Sequence, residues 1–440
     1  MSMSRPVLVL NVLNVLSLVL SATAAAAQTT ADPPKGFDDE GLPRVVVSPT
    51  ERRRDRVAVP SLKCKAPPKI CEAVEAQLRK NLEISTFFEI LDPKTYVANM
   101  DQETLDPVTG TKWTDWFNIG ARYLVKGEIG AGVDLQLRFY DVLERKPVTV
   151  NAAAQSHTGV GEKGVHGAVD AFLNAVIGEV TGTPGIFGSR IFYATKTSKD
   201  TRGIGAMDMD GHGAGGVVAG DTISNFPNPG PGGVLYLSFR DGKPDLWLGN
   251  KKLTHDAYQY RSGTFGPGGQ IAASLSMGSG SDIYLLSGDG KIQKRLTNGE
   301  GDNVAPTWSP DGSQIAFVSS RSGGPQIFVM SAGGGGAKRV TMAGSYNVTP
   351  HWGPSGRIAF TAMTSSGSDI FTVDSDGNMQ RITQDQGTNS DPTWSPDGRY
   401  LAFASAREGK AKRIFISSAD GRWQFPVSSP GGYSALRWAK

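Results

Sequence analysis

Short apolar runs recur behind a fixed turn signature in the C-terminal part of this chain. Ile315-Ala316-Phe317 follows Trp308-Ser309-Pro310-Asp311-Gly312, Ile358-Ala359-Phe360 follows Trp352-Gly353-Pro354-Ser355-Gly356, and Leu401-Ala402-Phe403 follows Trp394-Ser395-Pro396-Asp397-Gly398. A weaker copy, Phe265-Gly266-Pro267-Gly268-Gly269, leads into Ile271-Ala272-Ala273. The leading aromatics stand at 265, 308, 352 and 394, in steps of 43, 44 and 42 residues, and Trp438 lies 44 beyond the last. A period in the low forties is the length of a four-stranded propeller blade. Proline presets φ for the first corner of a turn and glycine closes it with positive φ. The apolar run that follows reads as a strand buried on both faces.

Other strands keep the same phase. Asp245-Leu246-Trp247-Leu248, Asp282-Ile283-Tyr284-Leu285, Gln326-Ile327-Phe328-Val329, Asp369-Ile370-Phe371-Thr372 and Arg413-Ile414-Phe415-Ile416 read as third strands. Lys252-Leu253-Thr254, Arg295-Leu296-Thr297, Arg339-Val340-Thr341 and Arg381-Ile382-Thr383 read as outer fourth strands. A degenerate first blade holds Arg190-Ile191-Phe192-Tyr193 and Gly205 to Met209. Residues 184–440 divided by a repeat of about 43 give six blades. Leu436-Arg437-Trp438 has no blade after it, so it is expected to pair near residues 190–194 and close the ring.

The pattern before residue 184 is different. Asp55 to Pro60, Tyr123 to Ile129 and Val133 to Val142 read as strands, Phe87 to Leu91 as a strand or turn, and Val148 to His157 as the completion of an antiparallel set. Ile70 to Leu82 and Lys163 to Thr181 carry apolar residues at helical spacing. Arg44 to Ser48 reads as a further strand, separated from Asp55 by the basic cluster Glu51-Arg52-Arg53-Arg54, which reads as a solvated loop tip. The predicted fold class is a small α/β domain, residues 44–183, followed by an all-β six-bladed propeller, residues 184–440.

The first 27 residues read as a secretory signal, with Arg5 in the n-region, an apolar Val7 to Leu20 and Ala25-Ala26-Ala27 at the cleavage position. Residues 28–43, with Pro33, Pro34 and Gly36, read as a flexible leader. A net charge of +3 over 440 residues points to neither nucleic acid nor a strongly charged membrane as partner. The two cysteines, Cys64 and Cys71, read as a disulfide pair for an oxidising compartment, with metal binding as the other reading.

Chemistry is sparse. Propellers of this repeat type also occur in serine peptidases, but the nucleophile elbow those require is missing. Gly432-Tyr433-Ser434-Ala435-Leu436 lacks the second glycine, and the five histidines form no metal-binding motif. Asp208-Met209-Asp210-Gly211-His212 has the opening of a calcium loop but lacks its closing glutamate, and reads rather as a hairpin turn. No catalytic residue, cofactor or metal is therefore expected. The binding candidates are the openings of the inner strands: Asn303-Val304-Ala305-Pro306, Asn347-Val348-Thr349-Pro350 and Asn389-Ser390-Asp391-Pro392. The two residues between Asn and Pro are expected to face a funnel, while Asn either shapes the turn or joins the surface.

These three Asn-x-x-Pro-x-Trp motifs, Arg190-Ile191-Phe192-Tyr193 with Met209-Asp210-Gly211, and Phe87-Phe88-Glu89-Ile90-Leu91-Asp92 resemble the TolB family of the Tol–Pal system, over essentially all of the mature chain. The resemblance implies a monomeric, non-enzymatic periplasmic adaptor that supports outer-membrane integrity and cell division. It implies that the funnel face binds the lipoprotein Pal, and through it peptidoglycan and the outer membrane. It also implies that the mature N-terminal segment binds TolA and is either docked or released. Carried over by position, the Pal interface falls on Gln259, Ser262 and Val304, with Asn303, Ala305, Asn347, Val348, Thr349, Asn389, Ser390 and Asp391 beside them. The TolA interface falls near Arg44, Val45, Val46 and Val47. An exported propeller that binds a small ligand or glycan in its channel is the alternative reading.

Overall fold

A computed structural model describes residues 41–43, 53–97, 103–278 and 280–440. The signal sequence, most of the leader and the strand expected at residues 44–48, with Arg44, Val45, Val46 and Val47, lie outside the described residues.

In the N-terminal part, Asp55–Ala58 runs parallel to both Phe88–Ile90 and Tyr123–Ile129, and Leu135–Asp141 pairs antiparallel with Tyr123–Ile129. Among the described residues four α-helices accompany this sheet: α1 (Pro68–Ile84), α2 (Trp113–Asn118), α3 (Ala152–Gln155) and α4 (Gly161–Thr181). The stripes predicted for the long ones are the buried ones. Ile70, Val74, Leu78 and Leu82 of α1 share one apolar cluster with Val165, Val169, Phe172 and Val176 of α4 and with Val125, Leu137 and Phe139 of the sheet. Cys64, in the strand Lys63–Cys64, and Cys71, in the first turns of α1, are joined by a disulfide.

Of the strand expected over 148–157 only Ser156–His157 is formed. Asn151 accepts the Ala153 N–H at 2.9 Å and starts α3 over three alanines, leaving only Lys146–Pro147 and Ser156–His157 paired to Leu135–Asp141. A cap side chain next to strong helix formers outweighs a weak alternation.

The C-terminal part is six four-stranded antiparallel sheets. Blade one takes Arg190–Lys196, Arg202–Asp208 and Gly215–Val218 from its own stretch of chain and its innermost strand, Ser434–Ala439, from the C-terminus. Trp438 pairs with Ile191 and Ser434 with Ala194, so the ring closes where the sequence predicted. The innermost strands of blades two to six are Ser224–Gly230, Gln259–Phe265, Asn303–Trp308, Asn347–Trp352 and Asn389–Trp394. Ser224–Gly230 carries prolines at 227 and 229, and so has no apolar strand signature to read.

A polar latch explains the repeat's other residues. In blade three Asp282, which opens the third strand, accepts from Thr297 Oγ1 at 2.6 Å, Gly299 N at 2.9 Å and Asn303 Nδ2 at 3.1 Å. Thr297 Oγ1 in turn accepts the Ile283 N–H at 2.9 Å. Asp369, Thr383 and Asn389 repeat this arrangement, and Gln326, Thr341 and Asn347 repeat it with an amide in place of the carboxylate. Each latch ties a third strand, a fourth strand and the inner strand of the next blade. Blades also stack through their leading aromatics. A Cβ on Gly353 would lie 2.4 Å from Trp394 Cγ, and one on Gly266 would lie 2.8 Å from Trp308, so only glycine lets the ring sit there.

Candidate functional site

The ring has two ends, and the inner strands run from one to the other. At their opening end every inner strand has a register irregularity against its neighbour. In five of them the residue three before the leading position has left-handed φ without being glycine: Phe226, Ala305, Thr349, Asp391 and Ala435 at +50 to +57°. Four of these precede a proline, which closes the right-handed helical region to them. The bulge turns Val304, Ala305, Val348, Thr349, Ser390 and Asp391 into half-buried positions. Gln259 is exposed, and Ser262 is half-buried with its hydroxyl 2.8 Å from that of Ser274.

The three asparagines do not join this surface. Asn303, Asn347 and Asn389 are fully buried, because each spends its amide on the latch of the preceding blade. A side chain that satisfies buried acceptors inside the ring is unavailable to a partner. The expectation that they contribute to the interface is corrected accordingly.

One described piece of the leader reaches this end. Leu42 is fully buried in the apolar cluster of blades four and five, to which Val304, Ala305 and Val348 also belong. Gly344, three residues before Asn347, makes room for it: a Cβ there would sit 3.2 Å from Leu42 Cδ2. Leu42 carries no helix or strand signal, and its neighbours lie far along the chain, so sequence reasoning had nothing to attach it to.

The opposite end is covered by the α/β domain. The Tyr400 hydroxyl donates to the Ser85 carbonyl at 2.8 Å, Arg399 donates to the carbonyls of Thr183 and Pro184, and the Arg54 guanidinium lies 4.2 Å from the centre of the Trp423 ring. The joint also brings together residues that the sequence left scattered. His166 of α4 places Nε2 2.8 Å from Asp210 Oδ2 and Nδ1 3.4 Å from Asp170 Oδ2, and its ring stacks on His212 at 3.7 Å. Gln77 and Asn81 of α1 both donate to Asp170 Oδ1. Burial, reinforced by the Asp210 charge, pushes Asp170 up to about 7. For His166 burial acts in the opposite sense, but the bond to Asp210 and the two carboxylate charges raise it above the ordinary imidazole value. The calcium-loop reading of Asp208 to His212 gives way to a hairpin turn in which the Gly211 N–H donates to the Asp208 carbonyl at 2.8 Å. That turn delivers Asp210 to α4.

Two family models match the chain, "TolB amino-terminal domain" over residues 43–148 and "TolB beta propeller domain" over residues 177–439. The chain belongs to the TolB family. A relative from Anaeromyxobacter sp. (strain K), described as "Tol-Pal system protein TolB", is 33% identical over 305 residues, which cover 66% of this chain and 68% of the relative. One of the same description from Desulfosudis oleivorans is 33% identical over 243 residues, covering 51% of this chain and 52% of that one. The crystal structure of TolB from Acinetobacter baumannii superposes with a TM-score of 0.69 at 24% identity, over 88% of this chain and 97% of that one, and shares its fold. Among the described residues no helix is long and apolar enough to cross a membrane.

Proposed function

We propose that this chain is a non-enzymatic periplasmic adaptor of the Tol–Pal system, binding Pal through the bulged openings of the inner strands and TolA through its mature N-terminal segment. The observation that carries this reading is the seat of Leu42. A leader residue and the rim positions Val304, Ala305 and Val348 occupy one apolar cluster, so a partner that rearranges the rim acts on the seat as well. A ligand shifts a two-state equilibrium by its differential affinity for the two states, and a few kcal/mol invert it. Docking of the leader and occupation of the rim are thereby coupled. Membership of the TolB family and relatives described as Tol-Pal system proteins support a place in that system, and Pal and TolA are the partners this proposal adds.

Leu42→Asp tests the coupling. A buried leucine contributes roughly 2 kcal/mol, and its loss releases the leader. Binding of purified Pal, measured by calorimetry, is expected to change at least fivefold, and proteolysis within residues 28–52 to become faster. Unchanged Pal affinity together with faster proteolysis would uncouple the two sites. Undetectable Pal binding by the wild type would remove the reading as a whole, in favour of a propeller that takes a small ligand in its channel.

A further inference from the structure

The joint between the α/β domain and blade one gathers metal-ligand atoms from separate elements. His166 and Asp170 stand four residues apart on α4, so both side chains leave the same face of the helix. The turn after Arg202–Asp208 brings Asp210 against them. One ligand atom from each of the three lies within 4.8 Å of the other two. The short separations are His166 Nε2 to Asp210 Oδ2 at 2.8 Å and His166 Nδ1 to Asp170 Oδ2 at 3.4 Å. Ligand atoms bonded to zinc at about 2.1 Å stand about 3.0–3.4 Å apart, so a small approach closes the set around one ion.

The carboxylates are oriented from behind. Asp210 Oδ1 accepts the His212 N–H at 2.9 Å, which leaves Oδ2 to face α4. Asp170 Oδ1 accepts from Gln77 Nε2 at 2.9 Å and Asn81 Nδ2 at 3.0 Å, which leaves Oδ2 toward the imidazole. Outer partners of this kind fix the ligands of metal sites. Asp208 is engaged elsewhere, 3.6 Å from Arg190. Two carboxylates and a neutral imidazole remain, and their charge balances a divalent cation.

An independent observation also points to a ligand. Asn81 is fully buried, its amide reaches Asp170, and its Oδ1 has no hydrogen-bond partner among the described residues. A buried acceptor without a donor is costly. Turning the amide over exchanges Oδ1 and Nδ2 and aims the carbonyl oxygen into the cluster. A protonated imidazole satisfies the two carboxylates but offers nothing to that oxygen, whereas a metal ion serves all of them.

We infer that His166, Asp170, Asp210 and Asn81 form a binding site for a divalent transition cation of the zinc type, which clamps α1 and α4 to blade one. A donor set that includes imidazole suits zinc and its neighbours better than calcium or magnesium, which take oxygen. Access is open on one side: His166 is half-buried, and His212, stacked on it at 3.7 Å, is exposed. The site lies at the other end of the ring from the rim and does not depend on Pal or TolA.

The test uses the full mature protein, stripped with a chelator, and the variants His166→Gln and Asp170→Asn. Zinc chloride is titrated by calorimetry at neutral pH, and melting temperatures are recorded with zinc and with the chelator. Expected are one zinc per wild-type chain and a melting temperature that zinc raises. Both variants are expected to bind zinc roughly tenfold or more weakly and to lose that rise. Asp170→Asn keeps an acceptor for Gln77 and Asn81, so it carries the comparison even where His166→Gln fails to fold. Cobalt(II) added to the stripped proteins reads the ligands directly, with visible bands expected to change in both variants. No zinc binding by the wild type, equal zinc affinity in wild type and Asp170→Asn, or a cobalt spectrum that Asp170→Asn leaves unchanged would each overturn the proposal.

Discussion

The two ends of the ring grow from the same repeat and settle their polar groups in opposite ways. At the end that meets the α/β domain, Asp170 and Asp210 are buried and His166 half-buried, and each is tied to another. At the other end the latch asparagines are used up inside the blades, and what reaches the rim is a row of half-buried side chains on strained backbone. A surface whose charges are satisfied internally makes a lasting joint. A surface that holds its conformation by bulges and leaves its side chains partly exposed is open to a partner.

The comparison presumes a closed ring, and the largest effect tests that. Truncation after Pro430 removes the innermost strand of blade one, with buried Leu436 and Trp438 and the indole bond to Ser189 Oγ at 3.0 Å. Loss of two large buried side chains alone costs at least about 5 kcal/mol, an appreciable part of a domain's whole stability. The truncated chain is expected to be insoluble or to melt far below the full chain, at both ends of the ring together. A melting temperature within a few degrees of wild type would mean that the terminal strand does not close the propeller.

A smaller effect separates the joint from the rim by pH. Asp170 is held near 7, above its unfolded value, so its contribution favours folding at low pH and is lost as pH rises from about 4 to about 7. His166 is also raised, and what it contributes is lost as pH rises through its folded value. Asp210 has the opposite sign: despite burial, the His166 bond holds it low, so its contribution disappears only below the ordinary carboxylate range. The joint is therefore firmest in mildly acidic solution. Asp170→Asn keeps an acceptor for Gln77 and Asn81 and removes the charge. At pH 8 it is expected to be more stable than wild type by on the order of 1 kcal/mol, with the gain shrinking through pH 5 and gone at about pH 4. Melting curves with equal slopes between pH 5 and 8 in the two proteins would show that Asp170 does not carry the effect.

The repeat was legible because its turn residues act locally: Pro310 and Gly312, or Pro396 and Gly398, announce a turn wherever they stand. The ring closure was legible for the same reason, since Trp438 keeps the phase of Trp394. The function of Asn303, Asn347 and Asn389 was visible only as a spacing, because their acceptors sit about 20 residues earlier, on the preceding blade. His166 and Asp210 lie 44 residues apart on a helix and a turn; nothing in either local pattern refers to the other. In blade two the inner strand escaped, because Pro227 and Pro229 erase the strand signature.

The smallest effect bears on why the rim has the residues it has. Left-handed φ costs a non-glycine residue about 1–2 kcal/mol, whereas glycine would adopt it freely and give back about 0.5–1 kcal/mol in chain entropy. None of the five strained rim positions is glycine, although the chain has 55 glycines and uses them at many turns. Strain of this kind persists where the surrounding structure fixes it, and it gathers at working surfaces. Ala305 is the cleanest case, since its methyl group makes no hydrogen bond. Ala305→Gly is expected to raise stability by less than about 1 kcal/mol while weakening Pal binding measurably, because the same change frees the bulge and removes a contact atom. A lower melting temperature would place the value of Ala305 in the fold; a higher one with undiminished Pal affinity would leave its side chain without a part in the rim.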